Sequence, residues 1–333
     1  MYYMVTPLRK RFGDVALEGP MAQSSTTKPA LRIGSRGSPL ALVQAREVQS
    51  RLAKTCGLDP ERIEITVIRT TGDAIQDRPL AQAGGKGLFT KEIEEALLAG
   101  TIDLAVHSSK DMPTVLPPGL ELSAFLPRED PRDAFIGRAA KTLRDLPGGA
   151  VVGTASLRRQ ALVKHLRPDL QIVPLRGNVE TRLRKLQAGD FDATVLAVAG
   201  LKRLGLLATA TSMLDPEEFV PAVGQGAIGI ETRKDDARTR VLVAAINDAD
   251  TATALAAERA FLAVLDGSCR TPIGGHARIN GDTIRFHGLI AKTDGSEVLD
   301  VARESRRADA VKLGADAGHE LKARAGPGFF VED

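Results

Sequence analysis

Leu31-Arg32-Ile33-Gly34-Ser35-Arg36-Gly37-Ser38-Pro39-Leu40 runs from a short apolar strand through a small polar loop into a helix start. Ser38 offers an N-cap and Pro39 a first helical residue. Leu42, Ala45, Val48 and Leu52 then recur at helical spacing. The same grammar repeats outward. Ile63, Ile65 and Val67 alternate as a strand. After Gly84-Gly85-Lys86-Gly87, Thr90 can cap a helix with Ile93, Ala96 and Leu97 inward and Gly100 at its close. Leu104-Ala105-Val106 opens into His107-Ser108-Ser109-Lys110-Asp111. Val151-Val152 leads through Thr154-Ala155-Ser156 to a helix with Arg158 and Arg159 in its first turn. A strand ending at Leu175 meets Arg176-Gly177-Asn178, and Asn178 can cap the next helix. Strands alternating with helices predict α/β units with largely parallel sheets. In such sheets the loops after the strand ends form the ligand crevice.

The last third changes character. Leu255, Arg259, Leu262 and Leu265 mark a helix that stops at Asp266-Gly267, before a glycine-rich loop containing Cys269. Asn280-Gly281 and Asp294-Gly295 are hairpin turns around a strand at 283–290, and a final helix is expected over 308–324. This predicts a small antiparallel α+β domain appended to two α/β lobes, with crossings between the lobes at 127–133 and 216–221. Residues 1–30 read as a disordered or misassigned leader: Arg9-Lys10-Arg11 is not followed by the apolar stretch of a secretory signal.

Composition narrows the function. The 333 residues carry 45 Lys+Arg against 42 Asp+Glu, and 43% are hydrophobic, an ordinary globular balance. No apolar run approaches the roughly 20 residues of a membrane span. A charge of +3, with aromatics at 4% and no Trp, argues against nucleic acid. Two cysteines exclude a disulfide framework and favour a reducing compartment, so a cytoplasmic protein is expected. Five dispersed histidines without ligand-like spacing give no metal site.

The arginines are segregated. Residues 151–187 hold eight cations against Asp169 and Glu180. Lys164, Arg184 and Lys185 fit a solvated helix face. Arg36, Arg158, Arg159 and Arg176 lie instead at strand-to-helix junctions, where free backbone N–H groups also favour anions. Guanidinium forks there suit a ligand with several carboxylates or phosphates. The GxxxxGK[ST] spacing of a P-loop is missing around Lys86. Lys110-Asp111 could be a local turn pair, or a carboxylate held at the crevice to manage a proton or a cation. Cys56 reads as a small core residue. Cys269, in Asp266-Gly267-Ser268-Cys269-Arg270-Thr271, lies in a loop too polar for a core, where it could be a covalent attachment point.

Taken in order, nine segments resemble the porphobilinogen deaminase (hydroxymethylbilane synthase) family. They begin at residues 33–42, 84–89, 105–111 and 128–134, continue at 153–160, 175–179, 196–203 and 222–227, and end at 267–274. The resemblance implies two periplasmic-binding-like α/β lobes plus a small C-terminal α+β domain. The first lobe would comprise 31–127 with a return at 227–244, the second 132–220, and the third domain 249–325. It further implies an enzyme joining four porphobilinogen molecules into hydroxymethylbilane with loss of ammonia, on a dipyrromethane cofactor bound through Cys269. Asp111 matches the catalytic carboxylate. Ser38, Lys110, Arg158, Arg159, Arg182 and Gln225 match positions that bind cofactor, and Arg36, Arg176 and Arg203 positions that bind substrate. Lys86 and Phe89 match a mobile loop over the cleft. Gln82 stands where many relatives have lysine, which puts an ionic loop contact there in doubt. A monomer that binds neither membrane nor nucleic acid is expected. The rival reading is a two-lobed binding protein for a small anionic ligand, which gives Cys269 and Asp111 no task.

Overall fold

The computed structural model describes residues 30–74, 87–265 and 271–329. Residues 1–29 of the leader, Gln82, Lys86, Cys269 and Arg270 lie outside these residues. The chain runs β1 (Leu31–Ser35), α1 (Pro39–Cys56), β2 (Ile63–Val67), α2 (Thr71–Ala74), α3 (Lys91–Leu98), β3 (Leu104–Ser108) and β4 (Leu120–Phe125). It continues with β5 (Asp133–Gly137), β6 (Val151–Gly153), α4 (Leu157–Leu166), β7 (Gln171–Val173), α5 (Val179–Ala188), β8 (Ala193–Ala197), α6 (Val198–Arg203) and β9 (Ser212–Met213). β10 (Ile228–Arg233), α7 (Ala237–Ala244), α8 (Ala249–Val264), β11 (Ile273–Asn280), β12 (Thr283–Ala291), β13 (Val298–Arg306) and α9 (Ala310–Ala325) complete it.

Two five-stranded sheets form the lobes, in the orders β2-β1-β3-β10-β4 and β7-β6-β8-β5-β9. Neither is largely parallel. β1 pairs parallel with β2 and β3, and β6 with β7 and β8, but β10 and β5 run antiparallel to both of their neighbours. Each reversed strand enters its sheet after the chain has crossed from the other lobe, so it arrives from the opposite end. Hydrophobic periodicity reports burial and carries no strand direction, which is why the sequence could not show this.

The helix starts follow from capping chemistry. Ser38 Oγ accepts from Ala41 N, Ser156 Oγ from Arg159 N, and Asn178 Oδ1 from Thr181 N. Thr90 occupies the cap of α3, but its side chain makes no capping bond. Each lobe buries its own apolar set, Leu31, Ile33, Val48, Leu52 and Ile230 in the first and Phe135, Val152, Leu162 and Val195 in the second. Cys56 is half-buried against the first of these cores.

β11–β13 form an antiparallel meander, with Gly281 (φ +57°) and Gly295 (φ +76°) at its two turns. α8 and α9 pack on it around Phe261 and Phe286. The molecule is thus two α/β lobes and a small α+β domain. Among the described residues no helix is long and apolar enough to cross a membrane.

Candidate active site

β3 is buried until its last residue, and a 3-10 turn, Ser109–Asp111, then turns Lys110 and Asp111 out at the strand's carboxyl end. The segment leading into β10 holds that turn. Ser109 N donates to Ala227 O at 3.0 Å. Gly224 (φ +73°) passes so close that a Cβ there would lie 3.0 Å from Lys110 N. Both Lys110 and Asp111 are half-buried. Burial, followed by the field of Arg159, pushes Lys110 down to about 8, although Asp111 and Asp133 pull the other way.

The second lobe supplies the facing wall. Arg158 and Arg159, in the first turn of α4, are buried on Asp133, which is completely enclosed. Arg158 Nη2 donates to Asp133 Oδ2 at 2.6 Å and its Nη1 to Val220 O at 2.7 Å. Arg159 Nη2 and Nε both donate to Asp133 Oδ1, at 2.7 and 3.1 Å. Gln225 Nε2 reaches the same oxygen at 3.1 Å and Pro131 O at 2.7 Å. Burial alone would raise the Asp133 carboxyl, but the two guanidiniums outweigh it and hold it at about 2. From α5, Arg182 Nε donates to Gly177 O. Burial first, then Arg159, brings Arg182 down to about 10, with Asp111 opposing and Arg176 adding to the fall. Asp111 of one lobe and Arg182 of the other therefore act on each other across the crevice.

Not every residue singled out from the sequence joins this group. Arg36 stacks on Phe89, its guanidinium carbon 4.2 Å from the ring centroid. Ser38 turns its hydroxyl to the start of α1. Arg203 Nη2 donates to Gly226 O at 3.1 Å, and its Nε lies 3.6 Å from Glu47 of the other lobe. Lys86 and Cys269 fall outside the described residues.

Three residues escaped the sequence reading. Asp133 opens a strand whose next residues are Ala134-Phe135-Ile136, and an acid leading a buried strand was the available signal. Glu258 shares the buried face of α8 with Ala254, Leu255 and Phe261, and a charge in an apolar stripe was its signal. Glu47, on a polar helix face, had none.

Residues 31–241 match the family model described as "Porphobilinogen deaminase, dipyromethane cofactor binding domain". Residues 252–323 match "Porphobilinogen deaminase, C-terminal domain". The chain belongs to the porphobilinogen deaminase family. A protein named porphobilinogen deaminase from Nitrobacter winogradskyi is 65% identical over 311 residues, covering 93% of this chain and 98% of that protein. Its counterpart from Nitrobacter hamburgensis is 64% identical over the same length and shares. Among solved structures, the methionine binding protein MetQ aligns at TM-score 0.42 and 18% identity, over 67% of this chain and 91% of that one, a likeness too slight to bear on fold or function.

The porphobilinogen deaminase cofactor is dipyrromethane, and the donor set fits it. Two buried atoms of the Asp133 cluster have no partner among the described residues: Arg158 Nε, a donor, and Gln225 Oε1, an acceptor. A ring pair bearing carboxylates and pyrrole N–H groups offers the complement of both, beside the cations Lys110, Arg159, Arg176 and Arg182.

Proposed function

We propose that the chain is a hydroxymethylbilane synthase, joining four porphobilinogen molecules head to tail and releasing ammonia at each addition. The reading is carried by Asp111, a half-buried carboxylate set at the crevice among cations from both lobes, in a chain of the porphobilinogen deaminase family. Bound there, dipyrromethane supplies the pyrrole carbon to which the first substrate is joined. Lys110, Arg158, Arg159, Arg182, Gln225 and Ser38 are assigned to holding it, and Cys269 to its covalent attachment. Arg36, Arg176 and Arg203 are assigned to the carboxylates of incoming porphobilinogen. Lys86 and Phe89 are assigned to the loop covering the cleft.

Asp111 is the proton-handling group. Its carboxylate accepts a hydrogen bond from the pyrrole N–H of the substrate and offsets the positive charge that develops as the substrate's ammonium group leaves as ammonia; it then takes up the proton shed by the attacking ring carbon. The surrounding arginines neutralise the ring carboxylates, so the growing chain brings no repulsion into the crevice. A monomer working in the cytoplasm is part of the same proposal.

Intact-mass measurement of protein made with the pathway running tests it. The expected mass exceeds that of the sequence by two pyrrole units, and the excess disappears in Cys269→Ala. A chain weighing only its sequence mass would sink the reading.

A further inference from the structure

The lobes touch through α1 and α6. A Cβ at Gly200 would lie 3.5 Å from Leu40 Cδ2, so the two helices meet closely at that point. One ion pair spans the contact, Arg203 of α6 with Glu47 of α1. The Arg203 side chain is 9% exposed, and burial is the chief influence lowering its proton affinity. A guanidinium enclosed to that degree requires an anionic or carbonyl partner. Gly226 O is one such partner, at 3.1 Å. Glu47 is the carboxylate nearest to the guanidinium, since Glu129 acts on it from further off and is committed to Lys202, and Glu47 is loosely held. Its Oε2 stands 3.6 Å from Arg203 Nε, beyond hydrogen-bond reach, while Oε1 takes Arg51 Nη2 at 3.1 Å. A free carboxylate able to pair with the fork in two parallel bonds would outcompete this contact.

We propose that Glu47 is a positioning residue, a resident carboxylate that holds Arg203, and with it the second lobe, against the first until a substrate carboxylate replaces it. The proposal rests on the reading of the crevice as a site for carboxylate-bearing pyrroles. Glu47 thereby sets both the affinity of Arg203 for substrate and the resistance of the empty crevice to opening.

The test is Glu47→Gln in the full chain carrying its cofactor, read in two ways. Without substrate, amide hydrogen exchange over α6 and residues 222–227 should accelerate about two- to fivefold, the range of a partly exposed ion pair. With porphobilinogen, KM should fall about two- to fivefold while kcat changes less than twofold. Unchanged exchange, or a KM that is unchanged or higher, overturns the proposal. Should the unaltered protein make no hydroxymethylbilane, the functional reading fails while the exchange measurement still decides the latch.

Discussion

Asp133 explains why two adjacent arginines can be buried at all. Side by side in a dry interior they would repel, and the single carboxylate between them turns that repulsion into a bridge that also fixes Gln225. Much of the hydrogen-bonding capacity of Arg158 is thereby committed to the protein itself, to Asp133 and Val220. Among the described residues no arginine is bonded to Asp111, which on the proposed reading leaves its oxygens to the substrate. Replacing Asp111 with Ala should keep the fold and the bound cofactor but cut turnover by about 10²- to 10⁴-fold. Steady-state rates beside intact mass and circular dichroism check this, and near-normal turnover would remove Asp111 from the central role. Residue type alone marked the cationic positions and the Lys110-Asp111 pair. It did not separate arginines bonded inward from those facing the ligand, because that depends on Asp133, a partner brought together only by the fold.

The 3-10 turn carrying Lys110 and Asp111 depends on a glycine in another element. Gly224 combines a left-handed φ of +73° with contact to the backbone of Ser109 and Lys110. Gly224→Ala therefore brings both strain and collision. A loss of about 1–3 kcal/mol in stability is expected, with kcat falling further than KM rises as the turn shifts. Urea unfolding and initial rates test this together; unaltered stability with unaltered kcat would mean the turn does not lean on Gly224. At this scale the sequence was most legible. The Asn280-Gly281 and Asp294-Gly295 turns, the capped starts of α1 and α5, and the final helix all followed from local chemistry. The direction of β5 and β10 did not, because it is set by long-range crossings rather than local pattern.

Across the whole molecule, Glu258 joins the three parts. Fully buried on α8, it accepts from Arg128 in the first crossing, from Gly224 N just before β10 at 2.7 Å, and from Ala277 N in β11 at 2.8 Å. The helix bearing this carboxylate ends just before the segment with Cys269, so the third domain is tied to the segments that connect the lobes. His276 lies in the same region. Burial foremost pushes it down from 6.5 to about 4, with Arg128 and His287 adding to the fall and Glu258 and Asp130 opposing. It folds neutral while the unfolded chain takes up a proton, so its contribution to stability is complete above about pH 6.5 and is lost as pH falls toward 4. Unfolding midpoints should therefore drop more steeply between pH 7.5 and 4.5 in the natural chain than in His276→Gln. Parallel curves would contradict this.

The order of strands in the first sheet also has a consequence for synthesis. β4 is joined to that sheet only through β10, and β10 follows every strand of the second lobe in the chain. On the ribosome, the strands of the second sheet are all present once residue 213 has emerged, while β4 still waits unpaired beside β1–β3. The lobe that begins first is completed last, and its open edge persists until the later-made strand returns to close it.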